Sequence, residues 1–179
     1  MFIKANKFLQ KFHLERKEKL SLALESERWK QSDVPNDFRN LIDHIVANGI
    51  GKQYGKKFDS KVRNPSDFIV INNENYVIFT TVIVLIKLMT EYSQFAVDMP
   101  NFSFDVMTRL VELFKIFNSK TYQMILGVGA VQTGVLRVIT FKTLAITYRC
   151  LELVLYFLPL LKEFYKEKLG KYSSTLFFF

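Results

Sequence analysis

A chain of 179 residues, 49% hydrophobic and 23% charged, is long enough for one packed domain and too apolar for general disorder. Its single cysteine, Cys150, excludes an internal disulfide and suits a reducing compartment. The net charge of +8 is uneven, with eight Lys/Arg against four Glu over residues 1–31 and five against Asp59 between Lys52 and Arg63. That balance fits a basic face for phosphates or an ordinary solvated surface, and charge alone does not choose between them.

From Lys4 to Gln31 the spacing predicts a helix, with Phe8, Phe12, Leu20, Leu24 and Trp29 as its contacts. Between them His13 to Lys19 is polar almost all round, so this part is expected to project into water, with Glu15 and Lys19 as an i,i+4 pair. No secretory signal is read here, because charge punctuates Phe2 to Lys19. Ser32-Asp33-Val34-Pro35 breaks the helix, and Pro35 suits the first turn of another. Phe38, Leu41, Ile42 and Ile45 form the inner face of that second helix, closed by Asn48-Gly49 and Gly51.

Residues 49–66 hold three Gly, one Pro and a lysine-rich run without period, and are predicted to be a basic, insertion-tolerant loop. Phe68–Ile71 and Tyr76–Ile78, around Asn72-Asn73-Glu74-Asn75, form a hairpin that must lean on helices, since two strands alone are marginal in water. The β-branched run from Thr80 to Ile86 suggests a strand, but the apolar pattern continues through Leu88, Tyr92, Phe95 and Val97. Length therefore favours a buried helix over about Val77–Val97, ended by Asp98-Met99-Pro100, with Asn101 or Ser103 capping the next.

The following helix, Phe104 to about Gln132, carries the apolar stripe Met107, Leu110, Val111, Phe114, Phe117, Thr121, Ile125 and Val128. Asp105, Arg109, Glu112, Lys115 and Lys120 are assigned to its wet face. Gly134 to Thr140 is a bend. The last helix runs to about Leu169 and has two apolar faces. One is Phe141, Leu144, Ala145, Tyr148, Leu151, Leu155 and Leu158; the other is Leu153, Val154, Phe157, Leu160, Leu161 and Phe164. Such a helix wants neighbours on both sides, more than this chain supplies. Pro159 should kink it.

Neither long apolar stretch is read as a membrane span. Tyr76–Ile86 stops at Lys87, short of the ~20 residues needed. Leu144–Leu161 carries Arg149 and Glu152 near its centre, at about 3 kcal/mol each for an acid or Arg at mid-bilayer.

The chemical inventory is sparse: catalytic residues none, cofactor-binding residues none, metal ligands none. His13 and His44 lie far apart without Cys, Asp or Glu at ligand spacing. Asp43 and His44 are adjacent, so on a helix they point about 100° apart, and His44 reads as a surface or capping residue. Gly127 to Gly134 lacks the glycine spacing and the preceding strand of a dinucleotide loop; Gly127 and Gly129 suit close helix approach instead. Cys150 reads as a buried, inert thiol. No nucleic-acid-binding motif appears, and nucleic acid is not an expected partner, although a basic module binding phosphoinositides or nucleic acid directly is the rival reading.

Scattered positions carry a family resemblance. They include Ala5-Asn6-Lys7-Phe8, Leu20-Ser21-Leu22, Glu27-Arg28-Trp29-Lys30-Gln31, Asp33-Val34-Pro35, Phe38, Leu85-Ile86 and Glu91-Tyr92. Thr108-Arg109-Leu110, Phe117-Asn118-Ser119, Leu126 to Ala130, Leu144-Ala145 and Arg149-Cys150-Leu151 continue it. Over about Ala5 to Leu169 the chain resembles the Vps fifty-four subunit family of the Golgi-associated retrograde protein (GARP) complex, in its middle to carboxy-terminal region. The residue pattern reads as an all-α, elongated bundle or rod of about five helices with a small hairpin near residues 68–78 and no cofactor, and the resemblance implies a helical-rod tether without catalysis. It implies vesicle tethering in endosome-to-Golgi retrograde transport, on the cytosolic face of the trans-Golgi network and endosomes. Implied partners are the subunits Vps fifty-one, fifty-two and fifty-three, Golgi and endosomal SNAREs, and a peripheral membrane contact. The family's amino-terminal coiled coils, which serve assembly, are not matched. The expected organisation is helices over 1–48, a loop over 49–66, a bundle over 67–169 and a divergent tail over 170–179. The tail's Leu176-Phe-Phe-Phe reads as a truncated or misread end, because exposed contiguous apolar groups invite aggregation.

Overall fold

The computed structural model describes residues 2–52, 68–125 and 140–170. They form α1 (Phe2–Glu25), α2 (Asn36–Asn48), β1 (Ile69–Ile71), β2 (Glu74–Tyr76), α3 (Thr80–Asp98), a 3-10 turn (Pro100–Phe102), α4 (Ser103–Ile125) and α5 (Phe141–Leu169). The fold is all-α with one small antiparallel hairpin, as expected. The predicted 49–66 loop from residue 53 on, the Gly127–Gly134 segment, the bend before Thr140 and the tail from Lys171 lie outside the described residues.

The α3–α4 pair is the centre. Val82, Leu85, Leu88, Met89 and Tyr92 of α3 and Val106, Leu110 and Leu113 of α4 are all sealed from water, and α1 and α5 each pack against both helices. The β-branched start of α3 does not make it a strand, because one face of a long helix is worth more buried than a few residues' propensity for a pleat. Thr80 is its first residue, three later than predicted; Ile78 stays extended and its carbonyl accepts from the Ser32 amide at 2.9 Å. Pro100 opens the 3-10 turn after Asp98. Ser103 is itself helical, and its hydroxyl donates to the Ala96 carbonyl across the turn.

Helix α1 ends at Glu25, six residues before the predicted Gln31. Trp29 adopts φ +54°, which no helix continues, and its ring packs edge-on to Phe79 at 5.3 Å. Glu27 holds that junction. Its buried carboxylate accepts from the Arg28 amide at 2.9 Å and from the Thr81 amide at 2.8 Å and hydroxyl at 2.6 Å, satisfying the first turn of α3 from another segment. In α2, Phe38, Leu41, Ile42 and Ile45 are all buried as predicted, and Gly49 closes the helix at φ +85°.

The hairpin turn has two residues, shorter than the four predicted. Asn72 (φ +51°) and Asn73 (φ +65°) take left-handed angles that match the twist of the strands, pairing Ile71 with Glu74 and Ile69 with Tyr76. Arg149 of α5 fastens the hairpin to the bundle. Its guanidinium donates to the Asn75 carbonyl at 2.7 Å and to Glu74 at 3.1 Å, pairs with Glu152 at 2.7 Å, and lies over the Tyr76 ring.

Candidate functional site

Two arrangements stand out: a polar clasp inside the helix stack and an apolar groove open on its outside.

The clasp corrects the reading of His13 as water-facing; Leu14, Glu15, Glu18 and Lys19 of the same stretch are exposed as expected, and Arg16 and Lys17 are half-buried. Spacing explains it: His13 lies four residues after Leu9 and seven before Leu20, on the same stripe, and all three are buried. Tyr92 and Glu112, equally far from Phe102 on either side, both reach His13 because α3 and α4 fold back on one another. The Glu112 carboxylate only accepts, so His13 Nε2–H donates to it (3.0 Å) and Nδ1 accepts from the Tyr92 hydroxyl (2.7 Å). Lys17 also donates to Glu112, whose carboxylate stays half-exposed on the wet face assigned to it while one oxygen meets His13 and the other Lys17. Arg16 pairs with Glu91 at 2.9 Å and Lys19 reaches Glu91 at 3.7 Å; Glu15 meets Lys11 and Arg16 and not the predicted Lys19. Phe12, beneath Arg16, packs between Tyr92 and Phe95 at 5.0 and 4.8 Å.

Burial holds the His13 pKa below its ordinary value, against the opposing pull of Glu112. The hydrogen bond from Lys17 holds Glu112 below the usual carboxylate range, and burial pushes Tyr92 up, keeping it an O–H donor. The Tyr–His–Glu order resembles a proton relay. Tyr92 is completely enclosed, however, so its oxygen meets no substrate, and the chemistry on offer is adhesion of three helices.

Of the two readings of His44, surface or capping, the structure fits the second: the ring is buried at the end of α2. One ring nitrogen lies 3.3 Å from the Lys52 carbonyl and the other 3.2 Å from the Asn48 amide, so it closes the end of α2. Cys150 is buried as expected; its thiol is 3.5 Å from the Val77 carbonyl, and burial pushes its pKa up to about 12. No group of three His, Cys, Asp or Glu suited to a metal occurs among the described residues.

The outside of α5 is the second arrangement. Its inner face buries Leu153, Val154, Phe157, Leu161 and Phe164, the second face predicted. The first face faces out: Phe141 is 89% exposed, Tyr148 61%, Leu155 60% and Leu144 38%. The two-faced helix thus lacks a neighbour on one side among the described residues. Beside Leu155 and Leu158, α4 contributes Met107, Leu110, Val111 and Phe114 to a groove of about 410 Å³, with Lys162 as its charged lining residue. Pro159 also lines this groove, inside a helix that continues to Leu169. By length and composition α5 is the one described helix able to cross a membrane, yet its inner face is core and Arg149 and Glu152 fasten its middle to the hairpin and to each other.

The architecture is an all-α bundle with a polar clasp between α1, α3 and α4 and, among the described residues, an uncovered apolar face on α5. A family model described as Vps54-like protein matches residues 73–177, continuing past Leu169, where the resemblance was expected to stop. The chain is 40% identical over 96% of its length to vacuolar protein sorting-associated protein 54 of Rattus norvegicus and 39% identical over 92% to that of Homo sapiens. It is 35% identical over 94% to that of Drosophila melanogaster. It spans 18%, 17% and 18% of those three relatives, so it corresponds to under a fifth of each. No solved structure matches. The chain belongs to the Vps54 family.

Proposed function

We propose that this chain is a non-catalytic segment of a vesicle-tethering subunit that acts in retrograde transport from endosomes to the trans-Golgi network, on the cytosolic face of those membranes. The observation that carries the reading is identity of about two residues in five with proteins named for vacuolar protein sorting, over nearly the whole chain. Its partners in that role are the other GARP subunits, Vps fifty-one, fifty-two and fifty-three, together with Golgi and endosomal SNAREs. The mechanism is geometric. Packed helices hold partner surfaces at fixed spacing, and several weak contacts on one scaffold add up to a firm attachment.

The rival is a basic module that binds phosphoinositide headgroups directly. Against it, Arg16, Lys17, Lys19, Lys87 and Arg149 all spend their charge on carboxylates of the same chain. Affinity purification of the full-length product tests the proposal: the other tether subunits should co-purify and persist as salt is raised. Failure to recover them refutes it. Recovery only of anionic lipid, lost steeply with salt, supports the rival.

A further inference from the structure

Helix α1 carries a second stripe, opposite the one that packs on α3 and α4. Leu9, His13, Leu20 and Leu24 face the bundle. On the far side Lys4, Lys7 and Lys11, then Leu14, Glu18, Leu22 and Glu25, recur at steps of three and four and are all exposed, Leu14 at 64% and Leu22 at 58%. The stripe is basic in its first half and acidic in its second, where Lys17 and Lys19 turn away to Glu112 and Glu91. Lys4, Lys7, Glu18 and Glu25 form no ion pair among the described residues, and Lys11 meets Glu15 of its own helix at 4.0 Å with both side chains exposed. We propose that this stripe is an interface with a second copy of the chain, the two α1 helices lying antiparallel about a two-fold axis near Leu14 and Glu15.

The order of charge selects this occupant. Turned end over end, the stripe is its own complement. Lys4 then lies opposite Glu25 of the second copy, Lys11 opposite Glu18, and Lys7 opposite Leu22 between those two acids. Leu14 meets its own image near the axis, and Leu22 covers the alkyl stem of Lys7. A parallel copy would set lysine on lysine and glutamate on glutamate, and an anionic bilayer or a nucleic acid would meet Glu18 and Glu25 on the same face as the lysines. The end of the helix points the same way. The last turn of α1 holds Glu25 and no basic residue, against the preference of the negative end of the helix dipole. An antiparallel copy brings Lys4 to that end. Exposed ion pairs hold little free energy each, so the charges set direction and register while the leucines supply apolar area. The dimer is therefore weak and reversible. The proposal goes beyond the tethering role, and its test uses this chain alone, so the two fail separately.

Sedimentation velocity of the whole chain over a concentration series tests it. The parent should shift from monomer towards dimer as concentration rises. Lys4→Glu with Lys11→Glu turns the stripe acidic, and Glu18→Lys with Glu25→Lys turns it basic. Each variant alone should dimerise about tenfold more weakly or worse, and a mixture of the two should pair at least as well as the parent. Leu14→Glu should weaken the parent dimer as well. The substituted side chains are all exposed, so thermal melts should stay close to the parent's. Crosslinking reads the direction. A short bismaleimide should join Leu14→Cys to its own image and Leu22→Cys to Lys7→Cys, while Cys150 is buried and stays out of the reaction. Leu22→Cys should not join itself, since the two copies of that position lie about 22 Å apart along the axis at 1.5 Å per residue. A parent that stays monomeric at every concentration, or a mixture that fails to pair, overturns the proposal. Variants that dimerise as the parent does overturn it by assigning the contact to another face. Leu22→Cys joined to itself overturns it in favour of a parallel pair.

Discussion

Tyr92→Phe removes one oxygen from the clasp and leaves everything around it in place. The hydroxyl donates to His13 Nδ1 at 2.7 Å in a site where Tyr92 is 0% and His13 4% exposed. Losing the bond costs about 1 kcal/mol net, and the abandoned Nδ1 acceptor, unreachable by water, brings the total to about 1–3 kcal/mol. For a chain of this length that lowers the melting temperature by roughly 3–9 °C. The clasp also has a pH signature. His13 has a folded pKa below 6.5, so as pH falls the unfolded chain takes the proton first. Its contribution is complete above 6.5 and is lost as pH drops from there through the folded value. Glu112, depressed below 4.5, adds stability that is present above 4.5 and lost as pH falls through its own folded value. Once Nδ1 is protonated the Tyr92 oxygen must turn to accept from it, and the Tyr92 hydrogen loses its acceptor. Urea unfolding followed by circular dichroism, at about pH 7.5 and about pH 5.5, checks both points. The parent should be less stable at the lower pH, and His13→Gln should lose most of that difference. An unchanged pH dependence in His13→Gln, or a neutral Tyr92→Phe, would refute the reasoning.

Glu27→Ala strands the Thr81 and Trp29 amides in a buried junction and should cost about 3 kcal/mol, read as a shift of the urea midpoint at constant slope. Gly51→Ala puts a Cβ 2.2 Å from the Phe164 ring at φ +77°, whereas Gly49→Ala meets nothing at φ +85°. The second should cost about 1 kcal/mol of backbone strain and the first clearly more, measured by thermal melts of the pair. Cys150 should resist iodoacetamide in the folded protein and react fully in denaturant, because its thiol is buried with a pKa of about 12. Mass spectrometry of the alkylated chain reads the outcome.

Periodicity made most of the architecture legible. The inner face of α2 and the two faces of α5 follow from spacing alone, because burial is what a helix of this length is stable for. On α4 Met107, Leu110, Phe117 and Thr121 are buried as predicted, Val111 and Phe114 are half-buried, and Val106, Leu113 and Met124 join the core unpredicted. The end of α1 was not legible. Trp29 leaves the helix because Phe79, and the Thr81 amide that Glu27 caps, wait some fifty residues on, and no local rule carries that information. The clasp was half visible. His13 fits the Leu9–Leu20–Leu24 stripe, but a polar run hides that register when side chains are sorted by charge. Its partners come from two helices brought together only by the turn at Pro100–Phe102. The hairpin lay in the pattern, while its two-residue turn rests on Asn72 and Asn73 both tolerating positive φ. On α5 the sequence already told of a missing neighbour, although not which of its two faces would lack one.

The proposed tethering role is tested most directly by a chimera. In the human relative, the stretch that matches this chain is replaced by the chain and the product is expressed in cells lacking that relative. The account predicts that the chimera joins the other tether subunits and restores endosome-to-Golgi return of a cycling receptor. A chimera that folds and accumulates but leaves the receptor stranded in endosomes would contradict it.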